Sequence, residues 1–114
     1  MNISSLVLAA IFGIAGICLA IISVKARKGT LPRNQLAGIR TELLMQSENN
    51  WVKGHKAAAL YLFSASAVCF IGAAICAVVS VEIGAWVSVI VSTVMLVAVV
   101  LGKSKAHAAV KNSQ

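Results

Sequence analysis

Acidic residues are scarce in this chain: three Asp and Glu stand against ten Lys and Arg in 114 residues. Charge of either sign reaches only 11%, while 60% of the residues are hydrophobic. A soluble domain of this length needs far more polar surface to face water, so a soluble fold is excluded. Metal and redox chemistry lack their usual ligands too. Cys18, Cys69 and Cys76 form no CxxC pair and have no histidine nearby, and they read as small apolar packing residues. Gly29, Gly38 and Gly54 are isolated, so there is no glycine-rich phosphate loop. No nucleophile–base pair stands out either, which argues against an enzyme.

What the sequence does contain is three long apolar runs. Ile3 to Val24, Ala57 to Ser80 and Ile83 to Leu101 carry no Asp, Glu, Lys, Arg or His. At about 1.5 Å per residue each is long enough for a helix crossing a hydrocarbon core of about 30 Å. Val81 and Glu82 alone separate the second run from the third, which implies a tight helical hairpin. The expected fold is all-α: an integral membrane three-helix bundle with a structured loop, 25–56, between the first two spans. The second helix is expected over about 48–80, the third over about 83–101, and a tail over 102–114.

The basic residues lie entirely outside the runs. Lys25, Arg27, Lys28, Arg33, Arg40, Lys53 and Lys56 fall in the loop, and Lys103, Lys105 and Lys111 in the tail. The positive-inside rule puts loop and tail in the cytoplasm and the N-terminus and Glu82 outside. Anionic lipid headgroups at the cytoplasmic face account for the net charge of +7 without nucleic acid. A cleaved signal peptide needs a basic segment ahead of its apolar stretch, and Met1 to Ser5 has none, so the first run is expected to be retained.

Within the runs, small residues recur four apart, the spacing at which lipid-embedded helices approach closely. The pairs Ala9 with Gly13 and Gly16 with Ala20 mark the first run. Ala65, Cys69, Ala73 and Ala77 mark the second, and Gly84, Ser88 and Ser92 the third. Either a compact bundle or a homo-oligomer uses such faces. Ser64, Ser66, Ser88, Ser92 and Thr93 are expected to bond to carbonyls one turn earlier in their own helices. Without an ionisable group in any span, an active transporter is disfavoured.

The loop is the informative segment. Lys25, Arg27 and Lys28 flank the first span, Gly29 and Thr30 release the helix, and Pro32 suits the start of a new turn. Leu36, Ile39, Leu43 and Leu44 recur at helical spacing, for a stretch lying in the interface or folded back on the bundle. Ser47 is a plausible N-cap, with Glu48 in the first turn of the next helix. Trp51 suits the headgroup boundary as an anchor with its N–H in water. His55 and Glu48 are two turns apart and do not make a metal site, and His107 stands alone in the tail. Arg33 and Arg40 have the geometry to bind phosphate or carboxylate, or to pair with Glu48.

Leu-Pro-Arg-Asn at 31–34, Gly-Ile-Arg-Thr at 38–41, Ser-Glu at 47–48, Trp51 and Gly-His-Lys at 54–56 together resemble the signature of the SdpI family. These are bacterial membrane proteins named for an immunity protein against a secreted killing peptide. The resemblance singles out Pro32, Arg33, Asn34, Gly38, Arg40, Thr41, Glu48, Trp51, His55 and Lys56 as the motif. Many members follow the Arg-Thr pair with proline, where this chain has Glu42. The resemblance implies immunity or envelope-stress protection in the bacterial cell membrane, through a cytoplasmic protein-binding surface. A peptide toxin or a membrane-held repressor is the implied partner, and no cofactor is. Two other readings stand beside it: an accessory subunit of a larger envelope complex, and anionic-lipid binding by the basic loop.

Overall fold

The computed structural model describes residues 3–32, 38, 39 and 41–112. Four helices form in chain order: α1 (Ile3–Lys28), α2 (Glu42–Met45), α3 (Glu48–Val78) and α4 (Val81–Asn112). Three of them, α1, α3 and α4, are long and apolar enough to span a membrane, and the described residues contain no strand. The molecule is an all-α membrane bundle. Helix α3 is central, with α1 along one flank and α4 along another, while α1 and α4 meet only sparsely.

The helix ends follow local chemistry. Lys25, Arg27 and Lys28 complement the negative end of the α1 dipole. Gly29 then takes φ +75°, its N–H bonding to the Ala26 carbonyl while the Thr30 N–H reaches the Lys25 carbonyl, a Schellman stop. Ser47 caps α3 as expected: it is extended, and its Oγ accepts from the Asn50 N–H at 3.0 Å. The hairpin turn falls at Val79 and Ser80 rather than at Val81 and Glu82. Ser80 Oγ accepts from the Ile83 N–H, so Glu82 lies inside the first turn of α4, where its charge favours the helix.

The largest departure is at the C-terminus. The expected tail from 102 onward is helical through Asn112, continuing α4 without a break. Gly102, Ala106 and Val110 are buried at a spacing of four, while Lys103, Lys105 and Lys111 face outward. The overall extent of 51 Å exceeds a hydrocarbon core of about 30 Å.

Packing differs between the two zones because the driving forces differ. Between apolar runs, lipid competes equally for apolar side chains, so contact forms where backbones approach. Gly16 packs on Phe70 and Cys69, Gly72 faces Val91, and Cys69 Sγ lies 3.0 Å from Met95 Sδ. Ser64, Ser88 and Thr93 bond to their own helices as expected. Ser66 instead donates across to the Gly16 carbonyl at 2.8 Å, because that carbonyl lies within its reach on α1. Spacing of exactly four drifts around a helix of 3.6 residues per turn, which is why the expected stripes fade. Ala65 and Cys69 are buried but Ala73 is only half-buried, and Gly84 is buried but Ser92 is exposed. Ala9 and Ala20 are half-buried, Cys18 is exposed, and Gly13 has open space before it.

The main apolar core lies at the basic end, where water makes burial favourable. Leu31, Ile39, Leu44, Trp51, Leu62 and Val110 meet there. A smaller cluster of Phe12, Cys76 and Val91 closes the opposite half. The outer faces of α1 and α4, including Ile11, Ile14, Trp86 and Val89, remain exposed and suit contact with lipid.

Candidate functional site

The described parts of the loop between α1 and α3 lie against the basic end as a cap, with Leu31, Ile39 and Leu44 in its core. Its expected helical repeat from Leu36 does not hold. Ile39 is buried but outside any helix, and only Glu42–Met45 winds into one short turn, which drives Leu44 into the core. Leu36 lies outside the described residues. Pro32 is exposed, and the turn expected to start at it falls on 33–37, which also lie outside the described residues.

Two aromatic side chains on the first turns of α3 hold the cap. Trp51 is completely buried, and its Nε1–H donates to the Leu31 carbonyl at 2.9 Å. It is therefore an internal strut rather than a water-facing anchor. Its indole N–H finds a carbonyl because the loop, not solvent, covers it. His55, one turn on, is also buried, with ring centroids 4.1 Å from Trp51 and planes tilted by 36°. The backbone N–H of Ile39 donates to His55 Nε2 at 2.8 Å. Since Nε2 accepts, Nδ1 carries the proton, and it donates to the Trp51 carbonyl at 2.8 Å. Both ring nitrogens of the neutral imidazole are thereby satisfied.

Gly38 makes this contact sterically feasible. Its φ is +103°, and an added Cβ would lie 2.7 Å from His55 Nε2 and 3.0 Å from the Trp51 ring. Only glycine combines that backbone with that closeness. Gly54 plays a matching part on the helix: a Cβ there would meet Leu44 Cδ2 at 2.7 Å. Asn50 adds a further tie, its Nδ2 donating to the Leu43 carbonyl at 3.1 Å.

The far end of α4 closes the other side. Thr41 Oγ1 and His107 Nε2 share a hydrogen bond of 2.8 Å across 66 residues, so His107 is not alone. The extension of α4 places it there, next to the buried Ala106 and about one turn before the buried Val110. Among the described residues no three His, Cys, Asp or Glu side chains are grouped to hold a metal.

Of the motif residues read from the sequence, Gly38, Trp51 and His55 come together in the cap, while the half-buried Thr41 bonds to His107 on α4. Glu48 is exposed in the first turn of α3, and Lys56 is exposed with its stem over Gly29. Arg33, Asn34 and Arg40 lie outside the described residues. Leu31, Asn50 and His107 were not singled out as partners. Asn50 lies three residues after the cap Ser47, a local cue, whereas nothing local marks a tail histidine as the partner of a loop threonine.

Comparison with curated proteins gives no match, and neither does comparison with solved structures. The family model described as the SdpI/YfhL protein family matches residues 30–102, a stretch that holds the cap loop, all of α3 and most of α4. Because that match covers more than half of the chain and contains the interlocked Gly38, Trp51 and His55, the chain belongs to the SdpI/YfhL protein family.

Proposed function

We propose that this chain is a protective membrane protein of the bacterial plasma membrane, acting through contact with another protein and not through catalysis. Its N-terminus lies outside, and its basic cap and C-terminus lie in the cytoplasm. The observation that supports this reading is the cap itself. Residues of the family motif are used internally: Trp51 and His55 tie two points of the loop, Leu31 and Ile39, to α3. A loop that only joined two spans would not need two buried aromatic struts and a glycine with positive φ. Lys53, Lys56, Glu42 and Glu48 lie on or near the surface beside these ties, a ready contact for a partner. A membrane-active peptide in the bilayer and a regulatory protein at the cap are the partners this reading implies.

The test is deletion of the gene followed by challenge with membrane-active peptides. Increased sensitivity, restored by the wild-type chain but not by His55→Ala at equal membrane abundance, is the expected result. Unchanged sensitivity, with unchanged transcription of neighbouring genes, would contradict the proposal.

A role as an accessory subunit has its own supporting observation. Gly13 has nothing within 4 Å of where its Cβ would stand, on a helix whose outer face is apolar. Another helix has room to approach there. Purification in mild detergent with a stoichiometric large partner would favour this second reading, and recovery of the protein by itself would count against it.

A further inference from the structure

A groove of about 820 Å³ runs between the last turns of α1 and the first apolar turns of α3. Val24, Leu60 and Phe63 line its floor, and Arg27, Lys28 and Lys56 its rim; among the described residues no acidic one lines it. The cations come from two helices. Lys56 is brought to the end of α1 by the Gly29 turn: with φ +75° and no Cβ, Gly29 lets the Lys56 stem cross it, where a Cβ would stand 2.7 Å from Cε and 3.3 Å from Nζ. Anchoring each helix separately at the headgroups requires cations near each end, but not their convergence on one concavity. Like charges gathered in this way repel one another until an anion joins them.

The depth of the groove selects the anion. The first apolar run ends at Val24 and the second begins at Ala57, so the rim stands at the water boundary and the floor just inside the hydrocarbon. The floor also opens sideways, with Leu60 71% and Phe63 55% exposed. A free phosphate has no use for such a floor. We propose that the groove binds one anionic phospholipid, its phosphate held by Arg27, Lys28 and Lys56 and an acyl chain laid over Val24, Leu60 and Phe63. Arg27 is suited to bidentate contact with phosphate, and the lysines add point charges. The inference rests on the membrane placement of the bundle and not on the protective role.

The test is native mass spectrometry of the full chain in detergent, with phosphatidylglycerol and phosphatidylcholine added together. The wild-type chain is expected to retain phosphatidylglycerol over phosphatidylcholine by at least about tenfold. The triple variant Arg27→Gln, Lys28→Gln, Lys56→Gln should bring that ratio close to even. The variant Lys103→Gln, Lys105→Gln, Lys111→Gln removes the same charge from α4 and should keep the preference. Phe63→Ala, with every cation in place, should lower retention several-fold while helicity by circular dichroism stays unchanged. Equal loss in both triple variants would overturn the site in favour of diffuse charge. Displacement of the lipid by glycerol phosphate would overturn it in favour of a free-phosphate site. Retention of an acidic amphipathic peptide without any lipid preference would assign the groove to a protein and overturn the proposal as well.

Discussion

The backbone N–H of Ile39 and the imidazole Nε2 of His55 are joined by a 2.8 Å hydrogen bond that spans sixteen residues of sequence. Both groups are buried, so neither has water as an alternative partner. The same imidazole is tied to the Trp51 carbonyl through Nδ1, and Trp51 holds the Leu31 carbonyl through its indole. Two side chains one helical turn apart therefore fix two separate points of the loop. The cap is held by directional bonds around an apolar core, and each bond is open to test.

Trp51→Phe keeps a large ring in the core but leaves the Leu31 carbonyl without its donor. A loss of about 1–3 kcal/mol is expected for such an orphaned buried group. Trp51→Ala also opens a cavity and should cost more, about 3–5 kcal/mol. Denaturation midpoints in detergent micelles rank the variants, and a Trp51→Phe protein as stable as wild type would remove the indole bond from the cap.

Gly38→Ala and Gly13→Ala form a matched pair. At Gly38 the backbone is left-handed and the new methyl meets His55 and Trp51, so the cap must shift. At Gly13 the methyl enters open space on a helix, where alanine is favoured over glycine by about 0.5–1 kcal/mol. Gly38→Ala should lower the unfolding temperature and raise the protease sensitivity of the loop, and Gly13→Ala should do neither. Equal behaviour of the two would contradict the close packing at Gly38.

The three long helices could be read from uncharged runs alone, since in lipid every backbone group must bond within its own segment. Ser47 was legible as a cap because capping is local. The inward turn of Trp51 was not: an indole at the end of an apolar run suits a headgroup layer and a small core equally well, and only the covering loop decides. The continuation of α4 was hidden by Lys103, Lys105 and Lys111, whose charges end an apolar run without ending a helix. The small face of Gly102, Ala106 and Val110 carries no strong hydrophobic signal, although it packs against the base of the bundle. The Thr41–His107 bond depends on that extension and joins positions 66 residues apart, so no local pattern reveals it.

Acid should loosen the cap. The neutral imidazole of His55 accepts from Ile39, and protonation at Nε2 would set two N–H groups against each other. The stabilisation from this bond is complete above the ordinary histidine range of about pH 6.5 and is lost as pH falls through and below it. Emission from Trp51, measured in a Trp86→Phe background, should shift to the red on acidification as water enters. An emission maximum constant with pH would show that His55 stays neutral or that the cap does not depend on it.

The proposed topology rests on charge placement and is tested separately. A reporter fused after Asn112 is expected to be cytoplasmic, and protease added outside whole cells should leave the chain between Lys25 and Lys56 intact. A periplasmic reporter would reverse the orientation and with it the proposed cytoplasmic partner.

The most direct test of the closed cap is amide hydrogen exchange at Ile39 in the full chain, held in lipid nanodiscs. Slow exchange in the wild-type chain is expected, with protection lost in His55→Ala while the amides of the α3 interior stay protected. Fast exchange at Ile39 in the wild-type chain, or protection unaffected by removing the imidazole, would contradict it.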